Sequence, residues 1–376
     1  MIYTDFQDEK LSLFGMGCMR LPLIDGVDSN IDKAAATAMI DYAMEQGVNY
    51  YDVAWGYHGG NSELVVGEAL SRYPRESFKL ATKFPGYDLG NMGKVAEIFE
   101  EQLRKCQVEY FDFYLIHNVC EMNIDAYLDD AKYGTLSYLI EQKRAGRIRH
   151  LGFSAHGNVD TIRRFLEAYG EHMEFCQLQL NYLDYTFQDS KGKMALAAQY
   201  GLPIWVMEPM RGGSLCKASA AEEATLKSLR PDETVAAWAL RWLQSQPEVK
   251  MVLCGSSTLD QMKENIATFQ EAKPLNAEEL SALQGIVEAR LAGNIAPCTK
   301  CKYCMSHCPL GIDIPWMLEL FNEHKYSGGG FIAPMAMAAV EPGKKPADCI
   351  ACGSCAAVCP QGIDIPGALA EFAQVL

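Results

Sequence analysis

The sequence has no long hydrophobic run and comparatively few basic residues. Its longest notable apolar stretch, FIAPMAMAAV at 331–340, spans ten residues and contains a proline, so it is too short to cross a bilayer. The first residues, MIYTDFQDEK, are acidic and lack the apolar segment of a signal peptide. Basic residues number 33 against 48 acidic ones, and this net charge of −15 argues against nucleic acid or an anionic membrane as partner. We therefore expect a soluble, cytoplasmic protein.

The length and composition indicate a globular chain with two domains. At 376 residues the chain is longer than a single hydrophobic core usually supports, which favours one large domain and one small one. Hydrophobic residues make up 49% and charged residues 22%, ordinary values that exclude a disordered or fibrous protein.

The fourteen cysteines need an explanation other than disulfide bonds, because the cytosol keeps thiols reduced. Six occur singly beside apolar residues, as small buried hydrophobic side chains do: Cys18, Cys106, Cys120, Cys176, Cys216 and Cys254. The other eight form two copies of C-x₂-C-x₂-C-x₃-C-P near the C-terminus, which continue as CPLGIDIP and CPQGIDIP.

This repeated spacing is typical of 4Fe–4S ligation, in which three closely spaced cysteines and a fourth from the other motif bind one cubane. The crossing predicts a first cluster on Cys298, Cys301, Cys304 and Cys359, and a second on Cys308, Cys349, Cys352 and Cys355. Two zinc sites are the alternative. Zinc usually takes two C-x₂-C pairs separated by a longer loop, which explains neither the third cysteine nor the proline.

The segment between the motifs has apolar residues at helical steps: Ile314, Met317, Leu318 and Phe321. We therefore predict a small, mostly helical, two-cluster ferredoxin-like domain over 291–376. A helix over 280–290, capped by Asn276, leads into this domain at about Asn294.

Residues 1–290 alternate short apolar runs with longer amphipathic stretches. Eight strand candidates are each followed by a helical pattern: 12–15, 49–54, 78–84, 111–117, 148–154, 175–181, 203–208 and 250–254. Glycines close four of the helices: Gly47, Gly146, Gly170 and Gly201. This pattern predicts an α/β fold, a (β/α)₈ TIM barrel. No G-x-G-x-x-G opens a helix after the first strand, which argues against a doubly wound dinucleotide-binding sheet.

Polar residues at the carboxyl ends of the predicted strands are the candidates for chemistry, because active sites of such barrels lie there. Asp52 and Tyr57 follow the second strand, Lys83 ends the third and His117 ends the fourth. We predict that Asp52 pairs with Lys83 and that this cation lowers the pKa of Tyr57, which then donates a proton near neutral pH. His117 would orient a substrate oxygen. Each residue alone also has a structural explanation, as an ion pair at the barrel mouth or a buried polar side chain.

These residues and the segments around them resemble the aldo-keto reductase family over 1–290: FGMGCMRLP, DVAWGYHGGNSELVVGEAL, LATKF, DFYLIH, LGFSAHG and GSSTLDQMKENI. The whole chain resembles a ferredoxin-fused bacterial branch of that family. The resemblance implies an oxidoreductase that reduces the carbonyl of a small molecule with a nicotinamide cofactor and without a Rossmann fold. It gives Tyr57 the role of general acid, Lys83 and Asp52 that of its tuning pair, and His117 that of the orienting group.

The resemblance also implies a set of cofactor contacts: Ser154, Gln177, Gly255, Ser256, Gln261, Glu264 and Asn265. Ser154 and Gln177 match residues that hold the nicotinamide carboxamide, although Ala155 stands at the usual asparagine. Met207 stands where an aromatic ring usually stacks on the nicotinamide. Gly255, Ser257 and Gln261 occupy positions that are basic in NADP-specific members, so NADP or NAD is the expected cofactor.

The fusion leaves three functions open, because clusters pass single electrons whereas nicotinamide transfers a hydride, and the sequence shows no flavin fingerprint. The first is a nicotinamide-dependent carbonyl reductase whose clusters support the structure or contact an electron-transfer protein. The second is cluster-fed electron transfer to a substrate in the barrel without nicotinamide. The third is a non-enzymatic electron-transfer or interaction scaffold.

Overall fold

The chain folds into two units, Met1–Leu283 and Gln284–Leu376. The computed structural model describes residues 1–292, 295–298 and 301–376. The division falls within the helix Ala277–Leu291, and the boundary between 290 and 291 stays a prediction. Asn294, where the cluster domain was predicted to begin, lies outside the described residues.

The first unit consists of a short hairpin and a closed barrel of eight parallel strands, as the sequence pattern predicts for the barrel. The barrel strands follow one another around the ring in chain order, and the last pairs with the first. The strands are β1 (Tyr3–Phe6), β2 (Glu9–Ser12), β3 (Phe14–Gly17), β4 (Tyr50–Asp52), β5 (Lys79–Phe84), β6 (Phe111–Val119), β7 (Ile148–Ala155), β8 (Cys176–Gln179), β9 (Ile204–Met207) and β10 (Val249–Gly255).

The antiparallel hairpin of β1 and β2 is not predicted by the sequence pattern. The first predicted strand included Ser12, which belongs to β2, whereas the barrel strand begins at Phe14. Phe6 packs edge-on against Trp205, with ring centroids 4.9 Å apart, and lies 5.8 Å from the ring of Phe113. These partners come from the early parts of barrel strands, so the hairpin covers the amino end of the barrel and leaves the carboxyl end for ligands.

Helices follow the barrel strands, and the helix Val159–Tyr169 shows how they pack, because it buries Ile162, Phe165 and Leu166 on one face. The helices are α1 (Lys33–Glu45), α2 (Ser62–Leu70), α3 (Val95–Cys106), α4 (Ile124–Leu128), α5 (Asp130–Tyr133), α6 (Thr135–Arg144), α7 (Val159–Tyr169), α8 (Asp184–Phe187), α9 (Ser190–Gln199), α10 (Ala220–Leu229), α11 (Val235–Gln244), α12 (Leu259–Thr268) and α13 (Ala277–Leu291).

The predicted helix ends are mostly confirmed. Asn276 accepts a hydrogen bond from the backbone N–H of Glu279 (3.0 Å) at the start of α13. Gly47, Gly146 and Gly201 have positive φ angles, as C-terminal caps do. Gly170 also closes its helix, as the C-terminal cap of α7, but it does so with a φ of −58° and begins a 3₁₀ turn. A Cβ there would lie 2.7 Å from the ring of Tyr200, so close packing explains this glycine.

The second unit is helical, as predicted, with α14 (Ile314–Ser327), α15 (Ile332–Met337), α16 (Ser354–Ala357) and α17 (Ile365–Val375). Its core contains the apolar residues that predicted the helix between the motifs. Each G-I-D-I-P repeat begins a helix in the same way. Asp313 and Asp364 accept hydrogen bonds from the N–H groups of Trp316 and Gly367, and a proline occupies the first turn.

Within the described part of the chain, no helix is both long enough and apolar enough to pass through a bilayer.

We expect Gly67→Ala to destabilise the barrel, because α2 and α3 touch at this residue. An added Cβ would lie 2.6 Å from the Cα of Cys106 and 2.7 Å from its carbonyl carbon, and backbone cannot move aside as a side chain can. The free energy of unfolding should fall by about 1–3 kcal/mol in urea titrations. Gly285→Ala is the matched control: it is mid-helix with open space around it, and it should gain about 0.5–1 kcal/mol. Equal shifts in both variants would contradict the contact.

Candidate functional site

The strand ends singled out in the sequence meet at the carboxyl end of the barrel. Asp52 ends β4, Lys83 lies in β5 and His117 in β6, and these three strands are parallel neighbours. Tyr57 begins a 3₁₀ turn in the loop after β4, with its N–H donating to the carbonyl of Ala54 (3.2 Å).

Lys83 joins this group through a buried ammonium. Its Nζ lies 2.5 Å from Oδ1 of Asp52, 2.9 Å from the carbonyl oxygen of Val53 and 3.4 Å from the hydroxyl oxygen of Tyr57. The Lys83 side chain is fully buried and that of Asp52 almost so. A buried charge without a partner costs several kcal/mol, so the ammonium and the carboxylate depend on each other.

Burial controls the acidity of Tyr57. It raises the pKa of the Tyr57 hydroxyl above the ordinary value, and the opposing effect of the Lys83 ammonium is smaller. The Lys83 ammonium thus acts on Tyr57 in the predicted direction, but burial outweighs it and the net pKa of the hydroxyl is raised rather than lowered. Burial also lowers the pKa of Lys83, but Asp52 and Tyr57 together raise that pKa by more, so Lys83 keeps its proton.

His117 completes the group as a neutral imidazole. Its ring meets that of Tyr57 edge to face, with centroids 6.2 Å apart, and that of Tyr87 at 5.2 Å. Burial first, and then the ammonium of Lys83, hold the pKa of His117 well below its ordinary value. Its Nδ1 is buried with no hydrogen-bond partner among the residues that the structure describes. A neutral imidazole can donate one N–H to an oxygen without transferring that proton.

We expect His117→Gln to make the barrel less sensitive to acid. Because the pKa of His117 is lowered by folding, the unfolded chain takes up this proton first, and native stability falls as the pH drops below about 6.5. Replacing His117 should therefore make the dependence of the unfolding free energy on pH less steep, by about 1.4 kcal/mol per pH unit below pH 6.5. Urea unfolding from pH 8 to 5 measures it. His156→Gln should act in the same direction, since burial lowers the pKa of His156 to about 4; an unchanged slope for His117→Gln contradicts the assignment.

A second buried lysine–carboxylate pair braces the same elements. Lys105 Nζ lies 2.6 Å from Oε2 of Glu63 and 4.7 Å from the centre of the Trp55 ring, in the loop that carries Tyr57. The Glu63 carboxylate also accepts hydrogen bonds from Thr82 (2.7 Å) and Gln102 (2.8 Å). The Gln102 amide donates to the carbonyl of Lys83 (3.0 Å). The sequence analysis missed this pair, although charged residues among the apolar positions of α2 and α3 could have signalled it.

A cavity of about 520 Å³ opens beside this group and is lined by both Tyr57 and Asp52. Most of the predicted cofactor contacts line the cavity too: Gln177, Gly255, Gln261, Glu264 and Asn265. Ser154 and Ser256 lie behind the lining, where the Ser154 hydroxyl accepts from the N–H of Asn118 (2.9 Å) and the Ser256 hydroxyl accepts from the amide of Asn265 (3.2 Å). Met207 lines the cavity as the resemblance implies.

The lining fits a nicotinamide dinucleotide. The Oε1 atom of Gln177 is buried and has no hydrogen-bond partner in the described ranges, so it can accept from a carboxamide N–H. Helix α12 begins beside Ser257 and Gln261, and the positive end of a helix favours phosphate. The cavity volume is in the usual range of small-molecule sites.

Arg20 supplies a cation that the sequence analysis did not find. It lies in the loop after β3 and lines the cavity, and its side-chain stem would contact a Cβ on Gly255 at 3.0 Å. Its carbonyl accepts from the hydroxyl of Ser257 (3.0 Å). His58 fixes this loop, because its Nε2 accepts from the N–H of Leu21 (3.1 Å). Nothing in the local sequence marks a residue so far from the α12 segment as part of the same cavity.

The eight motif cysteines gather around two further, much smaller cavities. One is lined by Cys298, Cys301, Cys304 and Cys359, and the other by Cys308, Cys349, Cys352 and Cys355. Each set therefore combines three cysteines of one motif with the last cysteine of the other. Four thiols around one cavity fit a cubane, which takes one thiolate on each iron.

Comparisons with known protein families match both parts of the chain. Residues 14–288 match the aldo/keto reductase family, and residues 294–363 match a 4Fe–4S dicluster domain. The second match implies two 4Fe–4S clusters rather than two zinc ions.

Individual relatives cover the barrel. An NADH-specific methylglyoxal reductase of Escherichia coli (strain K12) is 25% identical over 70% of this chain and 91% of its own length. L-galactose dehydrogenase of Arabidopsis thaliana is 27% identical over 74% of this chain and 91% of its own length.

Among solved structures, the holo form of an aldo-keto reductase from Bacillus halodurans is 27% identical, with a TM-score of 0.62 over 76% of this chain and 96% of that one. An aldo-keto reductase from Klebsiella pneumoniae in complex with NADPH is 20% identical with a TM-score of 0.61, which supports the fold alone. The chain thus belongs to the aldo/keto reductase family, is an oxidoreductase, and carries a C-terminal domain for two 4Fe–4S clusters.

Proposed function

We propose that the barrel reduces the carbonyl of a small molecule with a nicotinamide cofactor, NADP or NAD, and that Tyr57 is the general acid. The observation that carries this proposal is the placement of Lys83 Nζ between Asp52 Oδ1 (2.5 Å) and the Tyr57 hydroxyl (3.4 Å) at the edge of a ligand-sized cavity.

Each residue of the group then has one task. The raised pKa keeps Tyr57 protonated until the carbonyl oxygen gains negative charge and takes its proton. The Lys83 ammonium stabilises the phenolate that remains, and Asp52 holds that ammonium in place. His117, neutral, donates a hydrogen bond to the same oxygen and fixes its position. When bound, the reduced nicotinamide supplies the hydride.

The cofactor would lie along the cavity lining. We assign the carboxamide end to Gln177, with Ser154 behind it, and the adenosine phosphate end to the segment that begins α12: Gly255, Ser256, Gln261, Glu264 and Asn265. Arg20 offers a guanidinium to a phosphate of either cofactor. The E. coli relative is named for NADH and the Klebsiella structure contains NADPH, so both cofactors belong in the test.

In the C-terminal domain we propose the crossed ligand sets, with Cys359 completing the first cluster and Cys308 completing the second. The clusters would exchange single electrons with an electron-transfer protein.

The test uses the full-length protein with its clusters reconstituted without oxygen. Quenching of tryptophan fluorescence by NADH and NADPH measures binding, and loss of absorbance by the reduced cofactor measures turnover with a set of small aldehydes and ketones. We expect dissociation constants of about 1 μM to 1 mM for at least one cofactor. Absence of binding at millimolar cofactor, with clusters that dithionite still reduces, would replace this proposal with cluster-fed reduction.

A further inference from the structure

Glu208 has a backbone conformation that side-chain-bearing residues seldom adopt. It follows β9 directly and has a φ of +55°, in the left-handed region, where a Cβ lies too close to the following carbonyl oxygen. Such a conformation persists only where the surroundings fix it, and it is commonest at functional sites.

Buried hydrogen bonds fix this backbone. The carbonyl of Glu208 accepts from the amide of Asn181 (3.0 Å) and from the N–H of Arg211 (3.1 Å). Asp184, fully buried, accepts from the same Asn181 amide (2.7 Å) and from Nε of Arg211 (3.0 Å). These contacts hold the main chain of Glu208 in place, but none of them involves its side-chain carboxylate.

The Glu208 carboxylate has no such partner among the residues that the structure describes. It is half-buried and lines the cavity together with Tyr57, and no described residue forms a hydrogen bond or an ion pair with it. Arg20 lines the same cavity, and a Cβ on Gly212 would lie 3.9 Å from both the guanidinium and the carboxylate, yet the two charges form no ion pair within the described ranges. A half-buried charge without a partner is unfavourable until a ligand provides one.

We propose that Glu208 recognises the positive charge of an oxidised nicotinamide ring, so that the cavity favours the oxidised cofactor over the reduced one. This inference rests on the proposed function. The two forms differ by one unit of charge at the ring, since the ring becomes a cation when it loses a hydride. Met207, the residue that the resemblance places against that ring, is the immediate neighbour of Glu208. Coulomb attraction across a half-buried cavity then stabilises one form selectively.

The test compares Kd values for NAD⁺ and NADH, and for the NADP pair, in the cluster-loaded protein and in Glu208→Gln. We expect Glu208→Gln to weaken binding of the oxidised form by about three- to tenfold and to change binding of the reduced form by less than about twofold. Asp260→Asn is the control, because it removes the same charge at an exposed position of α12 that does not line the cavity. We expect this control to leave the ratio of the two Kd values unchanged.

Equal changes for both forms in Glu208→Gln, or tighter binding of both, would overturn the inference, because the carboxylate would then act on the phosphates or not at all. Such a result would leave the proposed function standing. If the unmodified protein binds neither form, the proposed function fails and this inference with it. Thermal unfolding of Glu208→Gln verifies that the variant folds.

Discussion

Tyr57→Phe should lower the turnover number for carbonyl reduction by about 10²–10⁴-fold while the clusters keep their visible absorption. The substitution removes only the hydroxyl, so the ring contact with His117 and the Lys83–Asp52 pair can both persist. Dissociation constants of the nicotinamide cofactors should change little, since a proton donated in the transition state contributes to kcat rather than to cofactor binding.

Tyr87→Phe is the matched control for this loss. Tyr87 also places its ring against His117, and its hydroxyl lies against Gly56, yet within the described ranges it makes no contact with Lys83. Its turnover should stay within about tenfold of the unmodified protein. Similar losses in both variants would show that aromatic hydroxyls matter only for packing. Full turnover by Tyr57→Phe would remove the general acid from the mechanism and favour the scaffold.

Cys359→Ser should remove the first cluster and lower the iron content from about eight to about four atoms per chain. The reason is that Cys359 lines the cavity of Cys298, Cys301 and Cys304, although it belongs to the second motif. Chemical iron analysis and electron paramagnetic resonance of the reduced protein provide the measurement.

Paired substitutions determine which cluster is lost. If the ligands cross, Cys359→Ser combined with Cys301→Ser affects a single cluster, and about four irons remain. Cys359→Ser combined with Cys352→Ser then affects both clusters, and little iron remains. If the ligands do not cross, the pair with Cys352→Ser keeps about four irons and the pair with Cys301→Ser keeps little. Cys216→Ser is the control: this exposed cysteine belongs to the first unit and to neither repeated motif, and its loss should leave all the iron in place.

The grouping of the motif cysteines around two cavities was predictable from sequence because most of their spacing is local. Cys298, Cys301 and Cys304 are close together in the chain, and the repeat of the motif with the same proline predicts a fourth, crossed ligand. The strand ends were accessible for a similar reason. Parallel strands in chain order bring Asp52, Lys83 and His117 to one end, whatever the loops do.

Other features depend on the folded surroundings and leave no local signal. Arg20 reaches the cavity because His58 holds its loop, which is a contact between distant segments. The left-handed backbone of Glu208 depends on Asn181 and Arg211. The hairpin was not predicted, and its last residue, Ser12, was included in the first barrel strand because only Leu13, which is not a turn residue, separates β2 from β3.

The pKa of the Tyr57 hydroxyl shows most clearly how far the sequence alone can predict the site. The sequence names the neighbours that interact with the hydroxyl, and the direction of the Lys83 effect follows from charge alone. Burial decides which effect dominates, and the burial of Tyr57 depends on how the folded chain packs around it. Spacing along the chain carries no information on that packing.

The pair formed by Lys105 and Glu63 has a consequence for how this barrel can diverge. Both side chains are buried, so replacing either one leaves the other as a buried charge without a counter-ion, at a cost of about 3–5 kcal/mol. The solvent-exposed pair of Lys33 and Glu68 should instead tolerate single changes. Descendants of this chain can exchange the enclosed pair only through a poorly folding intermediate or by two simultaneous changes. Amino-acid substitutions near the loop that carries Tyr57 should therefore accumulate at the exposed rim of the barrel long before they reach Lys105 and Glu63.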